Sequence, residues 1–170
     1  MTFLELAKAR YSCRKLTDKA IEPEKISRIL EAAIAAPTAK NLQPYKIWKI
    51  SSPESMAKVK QATNFTFGAG LVLVVGVDKN AAFVRPFDGV NFAQIDGSIV
   101  ATHIMLAVKD EGLDTTWVGM FDAFKLQSLF DEMKGYELIA LFPIGYADES
   151  AKPSPRHEDR REISKAVIEL

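Results

Sequence analysis

The sequence predicts one layered α+β domain, and three observations lead there. Helical and strand signals alternate along 170 residues, with few and widely spaced strands. Leu71–Val77 and Leu138–Ile144 are apolar on both alternating faces, as strands inside a covered sheet are. A third segment, from about Phe92 to Lys109, carries apolar residues nearly all round a helix and must be buried against a sheet or another subunit.

Each element follows from local chemistry. Thr2 and Glu5 have capping-box spacing, predicting a short helix that runs to about Arg10 or Tyr11. Pro23 suits a first helical position; Ile26, Ile29, Leu30, Ala33 and Ile34 follow at helical spacing, and the helix stops before Pro37. Tyr45–Ile50 reads as a strand, and Ser52-Pro53-Glu54 opens a helix containing Met56 and Val59. The long helix places Ile95, Ile99, Val100, Ile104, Met105 and Leu106 around its circumference. Asp122 is a cap for a helix carrying Phe124, Leu129, Phe130 and Met133. Beyond Pro153 and Pro155 lies a charged arm, Arg156 to Leu170.

Composition removes whole classes of function. A folded monomer of this length exposes roughly 8,000 Å² and buries about 70% of its extended-chain surface, enough for one core. With 48% hydrophobic and 26% charged residues the chain is not disordered. Lys+Arg and Asp+Glu are both 22, so no basic face of the kind that binds nucleic acid is expected. One cysteine, Cys13, makes neither an internal disulfide nor a multi-cysteine metal site. Glu5 and Lys8 interrupt what a signal peptide would keep apolar, and no apolar run is long enough to span a bilayer. A soluble, cytoplasmic protein without membrane attachment is the expectation.

The residues of several chemistries are missing. His103 and His157 do not make an HExxH zinc site, and there is neither a GxSxG elbow nor a GxxxxGK[ST] phosphate loop. Gly68-Ala69-Gly70 precedes a strand instead of joining strand to helix, so it has little weight as a dinucleotide fingerprint. No metal is expected. If the chain is an enzyme, a cofactor carries the reaction.

Two constellations remain. In Arg10-Tyr11-Ser12-Cys13-Arg14, two guanidiniums bracket a hydroxyl where a helix ends, a reasonable phosphate cradle. From spacing alone, Arg10 complementing the helix dipole and Arg14 in surface ion pairs is the simpler account. In Ala36–Pro44, two prolines, small residues and the carboxamides of Asn41 and Gln43 form a stiff loop between helix and strand. It offers groups that grip a heteroaromatic ring, though in isolation an ordinary ordered connection accounts for it.

With these motifs at this separation, the chain resembles the FMN-dependent nitroreductase family in a short form. Arg10, Ser12 and Arg14 match the family's Arg-x-Ser-x-Arg opening; Ala36–Pro44 match its Ala-Pro-Ser-x-x-Asn-x-Gln-Pro segment, with Thr38 for Ser. After a long helix, Gly112-Leu113-Asp114-Thr115-Thr116-Trp117-Val118-Gly119 matches Gly-Leu-Gly-Thr-x-Trp-x-Gly. Pro143-Ile144-Gly145-Tyr146 and Arg160-Arg161 match the closing strand and arm, so the resemblance spans nearly the whole chain.

The resemblance implies a three-layer α/β/α sandwich with a central, mainly antiparallel sheet, assembled as an intertwined homodimer with two FMN sites at the interface. Residues 1–170 form one domain, and residues 151–170 form a C-terminal arm reaching the partner subunit. By the same resemblance Arg10, Ser12 and Arg14, joined by Arg160 or Arg161, hold the FMN phosphate and ribityl chain. Pro37, Thr38, Ala39 and Asn41 reach the flavin of the partner subunit, and Asn64 meets the pyrimidine edge. Gly119, with Val118 and Met120, presents a backbone N–H to flavin N5. No side chain is assigned as catalytic acid or base.

The activity implied is hydride transfer from NAD(P)H through bound FMN to nitroaromatics, quinones or similar small-molecule electron acceptors, by a ping-pong mechanism. Alternatives are a specialised flavin enzyme (dehalogenation or enone reduction) and an FMN-binding module without turnover. Lys40 stands where short members often have Gly, and Tyr45 where Trp is common. Asp78–Asn91 is the lid candidate. Trp48 and Trp117 are read as core, His103 as a satisfied interface residue, His157 as an exposed tail residue and Cys13 as a small packing residue.

Overall fold

The computed structural model describes residues 1–170. Its centre is strand β2 (Leu71–Val77), every residue of which is buried. The strand is apolar on both faces because both faces are covered. It pairs antiparallel with β1 (Tyr45–Ile50) on one side and β4 (Glu137–Gly145) on the other. A two-residue strand β3 (Asp114–Thr115), which no sequence signal announces, pairs antiparallel with β4 through Gly145 and Ile144 and completes the order β1-β2-β4-β3.

Alternation along β2 and β4 sends side chains into two cores. Leu71, Leu73, Val75, Ala140, Phe142 and Ile144 meet Ile29 and Ala33 of α2 (Pro23–Ile34) and Val100, Ala101, Ile104 and Val108 of α4 (Ala93–Asp110). On the opposite face Val72, Val74 and Leu141 meet Met56 and Val59 of α3 (Pro53–Ala62) and Leu126 of α5 (Ala123–Leu129). This is the three-layer sandwich with an antiparallel sheet. Trp48 and Trp117 pack partly buried against these cores, as read from the sequence.

The helix starts obey their caps. Thr2 Oγ1 accepts the Glu5 N–H at 3.3 Å and Glu5 Oε2 accepts the Thr2 N–H at 2.7 Å, opening α1 (Phe3–Ala9). Ser52 and Asp122 cap α3 and α5 through the amides of Ser55 and Lys125. The helix after Asp122 is shorter than its apolar spacing predicts. It ends at Leu129, and Phe130 and Met133 belong to an extended residue and a 3-10 turn, Asp131–Met133. α4 lies hard against the sheet at Gly97, where a Cβ would come within 2.5 Å of Val77 Cγ1. Its inner face is buried and its outer face is open, with Ile95 43% exposed. No helix is long and apolar enough to cross a membrane.

Candidate functional site

Arg10–Arg14 leaves α1 in extended form and runs parallel to β3, with a bridge from Ser12 to Thr115 and the Cys13 amide donating to the Thr115 carbonyl at 3.0 Å. Extended backbone alternates its side chains. Cys13 turns inward and is fully buried, with Tyr11 packed beside it. Arg10, Ser12 and Arg14 therefore share the other face. Cys13 Sγ meets the Lys15 carbonyl at 3.2 Å, consistent with the packing role read for it.

The C-terminal arm closes this face into a cradle. Ser154 caps a 3-10 turn, Pro155–His157, that folds back over α1. His157 Nε2 lies 3.1 Å from the Lys8 carbonyl, and its ring stands edge-on to Tyr11 with centroids 6.2 Å apart. A cavity of about 320 Å³ is lined by Arg10, Tyr11, Ser12, Arg14, Ser154, Arg156, His157 and Arg160. Arg160 enters it and Arg161 does not. His157, expected as an exposed tail residue, has only 13% of its side chain exposed, because the arm's turn buries it against Tyr11.

The cradle is under-neutralised. The chain's arginine ion pairs, Arg28–Glu111 and Arg85–Asp88, lie elsewhere. Burial, and then the charge of Arg160, lower the pKa of the Arg10 guanidinium. Both effects disfavour the positive charge until an anion arrives. Burial first, and then Cys13, push the Tyr11 phenol upward, so it stays a neutral wall. Convergent guanidiniums with no carboxylate paired to them and a serine hydroxyl suit a phosphate; the Glu158 carboxylate lies 3.7 Å from His157 Nε2.

A second cavity opens further along the same ribbon. Ala62, Thr63, Asn64, Phe65, Gly119, Met120, Phe121 and Asp122 line an open groove of about 840 Å³. Thr63 Oγ1 ties its walls together, donating to the Met120 carbonyl at 2.9 Å and accepting the Phe65 N–H at 3.2 Å. Val118 lies below it: its amide donates to the Leu141 carbonyl at 2.9 Å and its side chain is buried. The backbone amides of Asn64, Gly119, Met120 and Phe121 have no partner within the chain and are left as donors at the groove. Gly119 follows Thr115, the partner of Ser12, by four residues, so it lies at most about 14 Å from Thr115 along the backbone.

The Pro37–Asn41 segment joins neither cavity within one chain. The Ala39 amide donates to Asp96 Oδ1 at 2.9 Å and Thr38 Oγ1 accepts the Gln43 N–H at 3.0 Å. Lys40 Nζ sits 4.6 Å above the Phe83 ring, tying the loop to the 78–91 segment. That segment is a turn closed by a Val84–Asn91 bridge and an Arg85–Asp88 pair, with Phe87 93% exposed at its tip. His103 Nδ1 lies 2.9 Å from the Ile99 carbonyl. It shares with Gln94, Ile95, Ser98, Ile99 and Thr102 an uncharged groove of about 570 Å³ on the outer face of α4. Sequence reasoning passed over Ser154, Arg156 and Asp96. A lone acid on an apolar helix was the available signal for Asp96, whereas the cradle role of Ser154 and Arg156 depends on the arm folding back.

Fold and site together define a three-layer α+β protein with an anion cradle at one end of an open groove. The sequence matches the nitroreductase family over residues 7–64 and 61–146, and the chain belongs to that family. It is similar to a nitroreductase family protein from Clostridium difficile 630, with 36% identity, a TM-score of 0.91, and coverage of 99% of this chain and 98% of that one. It is also 29% identical to an Archaeoglobus fulgidus protein provisionally named NADH dehydrogenase/NAD(P)H nitroreductase, over 92% of this chain and 97% of the relative. The fold recurs in an FMN-dependent nitroreductase from Clostridium difficile R20291, with 24% identity, a TM-score of 0.78 and 98% coverage of both chains.

Proposed function

We propose that this chain is an NAD(P)H-dependent flavin oxidoreductase that holds FMN in the cradle and groove and reduces nitroaromatics, quinones or similar small acceptors by a ping-pong mechanism. The observation that carries this reading is the cradle: four arginines free of carboxylate partners converge at one end of an extended ribbon whose other end bears unpaired amides. Bound FMN would supply reversible two-electron chemistry. Arg10, Ser12, Arg14 and Arg160 hold its phosphate, and Arg156 and His157 add to them. Asn64 and the amides of Gly119 and Met120 face its ring, with Val118 as their buried anchor. No side chain is assigned proton transfer, and water supplies the proton.

The working unit is a homodimer in which Pro37, Thr38, Ala39 and Asn41 reach the partner's flavin; within the arm, residues 151–170, the part through Arg160 closes the cradle of its own chain and the remainder reaches the partner subunit. Surface area supports this. The chain exposes 10381 Å², about 2,000 Å² more than a compact monomer of its mass. The excess includes the uncharged outer face of α4 and the arm's exposed Ile163, Val167, Ile168 and Leu170. A reducing, cytoplasmic setting suits the single unpaired Cys13.

The test is the visible spectrum of the purified protein, with FMN added, before and after NADPH. Flavin absorbance that bleaches, followed by steady NADPH oxidation with a nitroaromatic or quinone, is expected. Bound flavin that NADPH leaves oxidised would favour a binding module, and reduction without turnover of these acceptors a specialised flavin enzyme. A protein that takes up no FMN would end the reading.

A further inference from the structure

We infer that Asp96 is a positioning residue: it holds the turn Ala39–Gln43 in the shape in which that turn meets its ligand. Only the last clause rests on the flavin reading.

Asp96 is 1% exposed, on the first turn of α4, among the buried Ala93, Gly97 and Val100. A carboxylate placed there loses its hydration, and no cation compensates it. Its Oδ1 accepts the Ala39 N–H at 2.9 Å; its Oδ2 is buried without any partner. An apolar side chain would serve packing better at this position; what the acid adds is the hydrogen bond made by Oδ1.

What Oδ1 holds is a strained turn. Lys40, Asn41 and Gln43 have φ of 52°, 54° and 52°. Left-handed backbone in non-glycine residues persists only where its surroundings over-determine it. Two of the holds are local and exposed: Thr38 Oγ1 with the Gln43 amide, and Gln43 Nε2 with the Asn41 carbonyl at 3.3 Å. Lys40 over Phe83 ties the turn to another surface segment. Asp96 ties it to the core, through a helix seated against the sheet at Gly97.

The experiment compares the full-length protein with Asp96→Asn, Asp96→Ala, Asp96→Ala/Lys40→Gly and Ala39→Pro. Ala39→Pro removes the donor from the opposite side and leaves α4 untouched; Thr38, at φ −133° and ψ 159°, already has the conformation a following proline demands. Two quantities are read: hydrogen exchange of the 40–43 amides without flavin, and FMN affinity from quenching of flavin fluorescence. Asp96→Ala and Ala39→Pro are expected to speed exchange across the turn and weaken FMN binding by about tenfold to a hundredfold. Asp96→Asn keeps an acceptor and stays within about threefold. Lys40→Gly in the alanine background recovers at least about threefold, because glycine adopts this φ without strain.

Unchanged exchange in both Asp96→Ala and Ala39→Pro would overturn the proposal. So would equal losses in Asp96→Asn and Asp96→Ala without rescue by Lys40→Gly, which would assign Asp96 to packing. A wild-type chain that takes up no FMN would sink the flavin reading, while the exchange comparison still decides the positioning role.

Discussion

The cradle and the outer face of α4 are built in opposite ways. In the cradle, one chain gathers like charges from residues far apart in sequence: Arg10 and Arg14 from the strand after α1, Arg156 and Arg160 from the arm. On α4 the chain gathers nothing; Gln94, Ile95, Ser98, Ile99, Thr102 and His103 line an uncharged groove that the chain's own elements leave open. Charges held together without counter-ions require an anion, which a small ligand supplies. An uncharged helical face requires area, which a second copy of the chain supplies. We read the phosphate end of the site as complete in one chain and the ring end as completed by two.

The largest expected effect breaks the cradle alone. Arg10→Ala with Arg14→Ala removes two charge-assisted contacts of about 1.5–3 kcal/mol each, so FMN affinity should fall by about a hundredfold or more in a fluorescence titration. Sedimentation should still report a dimer. A fully loaded double variant would separate the cradle from the phosphate.

Next comes the opposite break. Ile95→Glu puts like charges across the proposed twofold contact and should raise the dimer dissociation constant by about a hundredfold, read by sedimentation velocity. The monomer's stability should change by less than about 0.5 kcal/mol, since the side chain is exposed. FMN should be lost together with the dimer although every cradle residue is intact. Tight FMN binding by the monomer would show that one chain suffices.

A third variant sharpens the contrast between the two faces of α4. In Gly97→Ala the new methyl meets Val77 Cγ1 at 2.5 Å and Ile139 Cγ1 at 3.2 Å, in a packed core. Overpacking of this kind costs about 1–3 kcal/mol, and the midpoint of thermal unfolding should drop by several degrees. The helix is displaced outward, so both Asp96 and the outer groove should feel it.

The smallest effect is a pH dependence outside both regions. The Arg28 hydrogen bonds hold the Glu111 carboxyl below the usual carboxylate range, against the opposing effect of its partial burial. A folded-state pKa lowered in this way contributes stability that is fully present above the unfolded value near 4.3. That stability is lost as pH falls through the lowered folded value. Arg28→Ala should lower stability slightly at pH 7, and in acid denaturation the difference should shrink as pH falls below the unfolded value and vanish once it is below the lowered folded one.

The elements were legible wherever the signal was local. Thr2 and Glu5, Ser52, Asp122 and Pro23 mark helix starts through contacts spanning three residues or fewer, and the two-faced runs of β2 and β4 report burial directly. The helix after Asp122 was overdrawn because apolar spacing continues past Leu129 while the backbone tightens into a 3-10 turn. β3 was invisible because two residues carry no periodicity and exist as a strand only through pairing with β4.

The candidate site divides in the same way. Arg10, Ser12 and Arg14 could be singled out because two guanidiniums bracket a hydroxyl within five residues and match a family motif, and so could the stiffness of the Ala36–Pro44 loop. That Arg160 and not Arg161 enters the cradle, that Arg156 and His157 join it, and that Val118 gives its amide to Leu141 while Gly119 and Met120 keep theirs were decided by the tertiary structure. The link between Asp96 and Ala39 belongs with these, since it joins residues 57 apart in sequence. The sequence by itself determined the element order, the layered class and the residue types able to hold a phosphate, because helix caps, periodicity and charge act over a few bonds. The tertiary structure decided which of those residues meet and which amides stay free, because convergence and hydrogen-bond partnership depend on where the chain returns.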